Sequence, residues 1–226
     1  MPGRIQEIWP RLEAVLRQQC PAALESLNPP ATPQQIDDLE AKLEIELPQG
    51  LRELLLIFNG QPQDGSGQAA PIIPAEHSEA GVYLATWGEF GSVDDIERWT
   101  LQTRVIQSET PRQAEQIHDH FREIYRQAGI EPPEFGPGVY TTEHRWLVFC
   151  DPGSGDSIGI QVADNSSIPV DSICGINHEE ETPHTLAPDL ETWFLLLVER
   201  YESGRYRVIE RDGCLEAVDR QDPETD

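Results

Sequence analysis

The sequence predicts an α+β fold, a mostly antiparallel sheet flanked by helices. Three observations predict it: a helical hairpin written out between Leu27 and Gly60, a change from helical to strand periodicity at Val82, and a turn between two apolar runs at 151–156. Helices near 33–46, 49–58 and 189–202 are expected to cover strands near 82–90, 146–150, 157–163 and 168–176. The 38% of hydrophobic side chains, with 17 glycines in 226 residues, suffice for a real core. No clear linker interrupts the periodic segments, so a single domain over 1–218 is expected, with 219–226 as a disordered acidic tail.

Each element has its own local reason. Ile5, Ile8, Trp9, Leu12, Val15 and Leu16 mark an N-terminal helix, which Pro10 either kinks or restarts and Cys20-Pro21 ends. Thr32 caps the next helix, Pro33 opens its first turn and Gln35 completes a capping box. Ile36, Leu39 and Leu43 are its apolar stripe, leaving Asp37, Asp38, Glu40 and Glu44 in water. Pro48 stops that helix and suits the start of another, which carries Leu51, Leu54, Leu55 and Phe58 and ends at Asn59-Gly60.

Residues 61–81, rich in Gly, Pro, Gln and Ser, read as a long surface loop, and 82–90 as a strand. Ser92 then caps a segment with Ile96 and Trp99 one turn apart. Thr110 to Gln113 repeats the capping-box grammar, and Ala114, Ile117, Phe121, Ile124 and Ala128 extend a helix to Gly129. A buried strand at 146–150, the Pro- and Gly-rich turn from Asp151 to Asp156, and a partner strand at 157–163 form a hairpin. A further strand follows at 168–176. The last helix has Leu190, Trp193, Phe194, Leu197 and Tyr201 facing inward and Gly204 beyond its end, and 206–218 forms a small hairpin around Asp212-Gly213. Leu39, Leu43, Leu55, Phe58, Trp146 and Phe149 are the expected core.

The stretch 27–60 resembles the N-terminal signature of the SMI/KNR cell-wall assembly regulator family of the SUKH superfamily. The likeness rests on Asn28-Pro29-Pro30-Ala31, Ile36, Leu39, Glu40, Leu43, Leu47-Pro48, Leu51, Leu54, Leu55 and Asn59-Gly60. Trp146, Phe149, Gly155 and Asp156 fit the family's later strand pair, whereas Val148 stands where a Pro is usual and Gln161 where an Asp is usual. The resemblance implies a SUKH-like α+β domain. It also implies a protein-binding role: bacterial members are commonly immunity proteins that neutralise toxins, many of them nucleases, and fungal members are regulators or scaffolds linked to cell-wall assembly.

Charge narrows the partners. The chain has 41 acidic and 16 basic residues, a formal net charge of −25, and a single lysine, Lys42. Such a surface repels phosphate backbones and anionic lipid, because nonspecific nucleic-acid affinity comes from basic side chains displacing counterions. It steers a basic protein into encounter. The N-terminus has no apolar run of signal-peptide length, and the longest apolar run, 193–198, is far too short to span a bilayer. A soluble cytoplasmic protein that binds neither nucleic acid nor membrane is expected.

No catalytic constellation emerges, and neither a metal nor a cofactor is expected. Cys20, Cys150, Cys174 and Cys214 lie far apart, without a Cys-x-x-Cys pair, and read as buried small hydrophobes. His118 and His120 would point about 200° apart on a helix. The stretch His178, Glu179, Glu180, Glu181 and His184 lacks the His-Glu-x-x-His order, and reads as an acidic surface loop. Gly153-Ser154-Gly155 lacks both the lysine of a phosphate loop and the glycine of a nucleophile elbow. The candidate partner-binding residues are Asp94, Asp95, Asp151, Asp156, Glu179, Glu180 and Glu181, which fall in predicted loops or element ends. Joined to what the family resemblance implies, the expected function is a non-catalytic immunity protein neutralising a toxin, with a basic nuclease domain as partner. The alternative is a regulatory scaffold of the cell-wall type.

Overall fold

The computed structural model describes residues 4–62, 76–77, 83–84, 89–107, 123, 126, 131, 145–150, 156–163, 168–176, 183–211 and 214–219. Its helices follow local grammar closely. Helix α1 (Arg4–Gln19) runs through Pro10 without ending and buries Ile5, Ile8, Leu12 and Leu16. Cys20 closes α1 and leads at once into α2 (Pro21–Glu25), a short turn of helix beyond the expected stop.

Helix α3 (Pro33–Leu43) has the predicted capping box: the Gln35 N–H donates to Thr32 Oγ1 (3.2 Å) and the Thr32 N–H to Gln35 Oε1 (2.9 Å). It ends at Leu43 rather than near 46. Glu44 turns left-handed (φ 55°) and the Ile45 N–H returns to the Glu40 carbonyl (3.2 Å), which satisfies an orphan acceptor of the last turn. Helix α4 (Gln49–Leu55) follows Pro48, and Phe58 lies just beyond it, with its N–H on the Leu54 carbonyl (3.0 Å). Helix α5 covers 93–107, and α6 (Leu190–Glu202) starts at Asp189, whose carboxylate accepts the Thr192 N–H (2.7 Å).

Strand β1 (Glu76–His77) lies inside the segment expected to be loop and pairs with β2 (Tyr83–Leu84). The main sheet is an antiparallel meander in the order β3 (Trp146–Cys150), β4 (Ser157–Gln161), β5 (Ile173–Ile176) and β6 (His184–Ala187). Two expectations about it are corrected. Among the described residues the 82–90 segment reaches this sheet only by the Phe90–Cys150 bridge, and the fourth strand is instead β6, which closes the β5 edge from a stretch to which the sequence assigns no strand. Alternation in His-Thr-Leu-Ala is too short to register as a strand until β5 supplies the pairing. The start of the 168–176 segment forms a turn, with Asp171 left-handed (φ 70°) and its N–H on the Gln161 carbonyl (2.9 Å). Strands β7 (Tyr206–Arg211) and β8 (Cys214–Asp219) make the expected hairpin, with Asp219 its last paired residue. The helix expected near 111–129 lies outside the described residues, apart from helical positions 123 and 126.

Both faces of the main sheet are buried. Leu147, Phe149, Ile158, Ile160 and Ile173 join the large core with α1, α3, α4 and α6, while Trp146, Val148, Cys174 and Ile176 pack with Trp99 of α5 on the opposite face. A bulge between Val148 and Cys150 breaks the alternation and turns Cys150 into the large core beside Phe149. Phe90 is the centre of the aromatic packing, with ring centroids 5.6 Å from Phe58, 6.2 Å from Phe149, 6.0 Å from Trp193 and 6.5 Å from Phe194. All six residues expected in the core are buried. So are Cys20, Cys150 and Cys174, and burial pushes the Cys174 thiol up to about 11, away from thiolate chemistry.

Truncating Phe58 or Trp146 to Ala should destabilise the protein by about 3–5 kcal/mol, read by urea unfolding; parent-like midpoints would reject the packing described. Asp171 gives a pH-dependent test. Burial, then the charge of Asp189, hold its carboxyl above the ordinary carboxylate range. An acid whose folded value is raised favours the folded state least once ionised, so its contribution falls as pH rises from the unfolded value through the folded one. Asp171→Asn, which also tolerates the left-handed backbone, should raise the Tm at pH 7 and leave it nearly unchanged at pH 3.

Candidate functional site

Helix α5 is held by a side chain from another part of the chain. Its first turn has amides without intrahelical acceptors, and Ser92 Oγ takes the Asp95 N–H (3.3 Å) while Asp95 Oδ2 takes the Ser92 N–H (3.1 Å). Asn59 Oδ1 takes the Val93 N–H (2.9 Å) from the far side of the α4 turn. For this contact the two backbones must nearly touch. Gly60 (φ +70°) has room for no Cβ, since one would lie 2.3 Å from the Ser92 nitrogen, and a Cβ on Gly91 would lie 2.3 Å from the Trp99 ring.

That crossing sets α5 beside α3 and leaves a groove of about 100 Å³ lined by Gln35, Asp38, Leu39, Lys42, Val93, Asp94 and Glu97. The α3 residues recur at i, i+3, i+4 and i+7, so they share one helix face. Lys42 Nζ bridges to Glu97 (2.7 Å). That hydrogen bond and charge, with Asp94 and Asp38 nearby, hold the ammonium above its ordinary value, so Lys42 stays a cation and is not a base. Beyond the groove, Arg104 and Arg145 donate to the Leu43 carbonyl (2.8 and 3.2 Å), placing positive charge on the negative end of α3. Burial and the neighbouring Arg145 lower the affinity of Arg104 for its proton.

Of the acidic residues singled out from the sequence, Asp94 is exposed on the lip of this groove. Asp95, adjacent to it, faces inward as a cap and pairs with Arg98 (2.7 Å), and Asp156 is buried. Asp151, Glu179, Glu180 and Glu181 lie outside the described residues. The structure adds Asp38 and Glu97 beside Asp94. Asp38 was legible as a solvent-facing position on α3, yet nothing local in the sequence pairs it with α5. Among the described residues no group of three His, Cys, Asp or Glu side chains is placed to hold a metal ion, and no helix is long and apolar enough to cross a membrane.

Residues 30–196 match the SMI1 / KNR4 family (SUKH-1). The chain belongs to this family. No curated protein matches it. SUKH-1 members are generally not enzymes, and membership supports a protein-binding role. The two positions where this member departs from the usual pattern have structural uses. The Val148 N–H, which a proline would lack, donates to the buried Thr100 hydroxyl of α5 (3.1 Å). Gln161 is fully buried and accepts the Arg145 N–H (2.9 Å), a site where a neutral amide avoids the cost of a buried charge.

Asn59→Ala leaves the Val93 N–H at the start of α5 without its acceptor and should cost about 1–2 kcal/mol in urea unfolding, with faster amide exchange at Val93. Unchanged exchange there would show that Asn59 does not anchor the helix.

Proposed function

We propose that this SUKH-1 chain is a cytoplasmic immunity protein, acting as one domain over 1–218, that binds and neutralises a basic toxin domain, a nuclease being the natural fit. The observation that carries the reading is the acidic groove between α3 and α5, where Asp38, Asp94 and Glu97 converge on a chain of net charge −25. Asp151, Glu179, Glu180 and Glu181 are included in the proposed acidic surface, whereas the buried Asp156 and the inward-facing Asp95 are not. Long-range attraction from such a surface acts mainly on the encounter rate and is screened by salt. A nuclease's cleft is basic because its substrate is a polyanion, so the two surfaces are complementary.

The test is a pull-down with the product of the neighbouring gene, followed by association kinetics at low and at physiological salt. A complex is expected whose association slows with salt. The combined substitution Asp38→Asn, Asp94→Asn and Glu97→Gln should slow association and flatten its salt dependence with folding intact. No complex, or one indifferent to salt and to these substitutions, would overturn the acidic-surface reading in favour of a regulatory scaffold.

A further inference from the structure

Helix α5 presents more than acid to solvent. Asp94, Arg98, Leu101 and Val105 recur at i, i+4, i+7 and i+11, the spacing of a helix–helix seam, and all four are exposed. Leu101 and Val105 are 40% and 54% exposed, and among the described residues only Leu56, Val170 and Leu196 are other large hydrophobics left in water. Single exposed apolar side chains are ordinary; two on one helix face, one turn apart and continuous with a charged groove, are the anatomy of a docking surface. Arg98 does not repel a cation here, because it is bound to Asp95 and lies over the Trp99 ring at 5.8 Å.

The groove at the other end of this seam already holds a cation. Lys42 is the chain's sole lysine, is more than half exposed, and reaches Glu97 in the midst of Asp38 and Asp94. An exposed ion pair of this kind is weak, so another cation can replace it.

We propose that the exposed face of α5 and the α3–α5 groove together dock a helical segment of a basic protein partner, whose apolar side chains cover Leu101 and Val105 while its arginine or lysine displaces Lys42 from Glu97. Lys42 is thus an internal competitor: it offsets one of the groove's three negative charges until a partner with both features, charge and apolar stripe in the right order, arrives. A bare polycation gains only the charge exchange, and a neutral amphipathic helix gains only the apolar contact. This inference rests on the protein-binding reading and names the surface and the partner's chemistry.

The single lysine makes the test direct. Reductive methylation with ¹³C-formaldehyde keeps its charge and gives one side-chain signal, identified by its loss in Lys42→Arg and separate from that of the N-terminal amine. The probe is a synthetic helical peptide with arginines in one turn and leucines in the next two, beside a scrambled peptide of equal composition. The designed peptide should shift the Lys42 signal saturably and bind more tightly than the scrambled one. Leu101→Asp with Val105→Asp should abolish that preference without changing the Tm.

Lys42→Gln should tighten binding about 2- to 5-fold, the scale of one exposed ion pair, whereas Arg17→Gln, the same charge change on α1, should have a smaller effect. An unmoved Lys42 signal, equal binding of the two peptides, or equal effects of Lys42→Gln and Arg17→Gln would overturn the proposal. A salt-dependent complex with the neighbouring gene's product that tolerates the Leu101, Val105 and Lys42 substitutions would keep the immunity reading and overturn this surface alone.

Discussion

Two stretches of backbone cross at contact distance where Asn59-Gly60-Gln61 meets Phe90-Gly91-Ser92, and the arrangement of the molecule depends on that crossing. Gly60 and Gly91 permit it because neither carries a Cβ, and Asn59 secures it by capping α5. The Gln61 N–H donates to the Phe90 carbonyl (2.8 Å), and the Gly91 N–H to that of Phe149 (2.9 Å), so the crossing is tied to the sheet. Asn28 joins from the other side, its N–H on the Gly60 carbonyl (3.0 Å) and its side chain on that of Asn59 (3.0 Å). The signature residues Asn28 and Asn59-Gly60 are thus parts of one knot that fixes where α5 stands. Because Phe90 is within the knot, the same placement centres the aromatic packing between α4, α6 and the sheet.

Few cations serve a strongly acidic chain, and their positions show how the acid is managed. Arg52 binds Asp37 (2.5 Å) and Glu40 (2.8 Å), joining α4 to α3, and Arg11 binds Glu202 (2.6 Å), joining α1 to α6. Arg104 and Arg145 serve the carbonyl end of α3. These arginines neutralise charge where elements meet, the planar forks of Arg11, Arg52 and Arg145 holding two acceptors at once, whereas Arg17 and Arg98 pair within their own helices. The lone lysine, a single point charge on a flexible stem, stands instead at the groove where three carboxylates converge. That division of labour leaves the excess acid facing outward, where it can act on a basic partner at a distance.

The second face of the sheet shows how α5 is coupled to the strands. Trp99 packs with Trp146, Val148, Cys174 and Ile176, and Thr100, one residue on, accepts the Val148 N–H inside the protein. A strand amide at a bulge would otherwise be buried without a partner, a loss of the order of a hydrogen bond's desolvation. Val148 and Thr100 act together, so the face of α5 opposite the seam is fixed by the sheet and the seam itself is held toward solvent. The groove and its apolar neighbours therefore belong to a rigid element.

Much was determined by the sequence alone, wherever a few adjacent residues settle the matter. The capping box at Thr32, the Ser92 cap, the 146–161 hairpin and the core positions Leu39, Phe58 and Trp146 follow from side-chain chemistry and periodicity within a turn or two. Family membership was legible for the same reason, since its signature is a string of local instructions. What escaped was non-local. His184–Ala187 becomes a strand only because β5 offers an edge, and α3 stops at Leu43 because the chain turns back at Glu44. Asp94 and Asp95 are adjacent acids in the sequence, yet one meets water and the other caps its helix, as the screw of α5 dictates. Only the tertiary structure could bring Asp38 and Lys42 against Asp94 and Glu97, because two helices separated by a long stretch of chain are set side by side by backbone contact at two glycines, and a contact between distant segments leaves no mark on the periodicity of either.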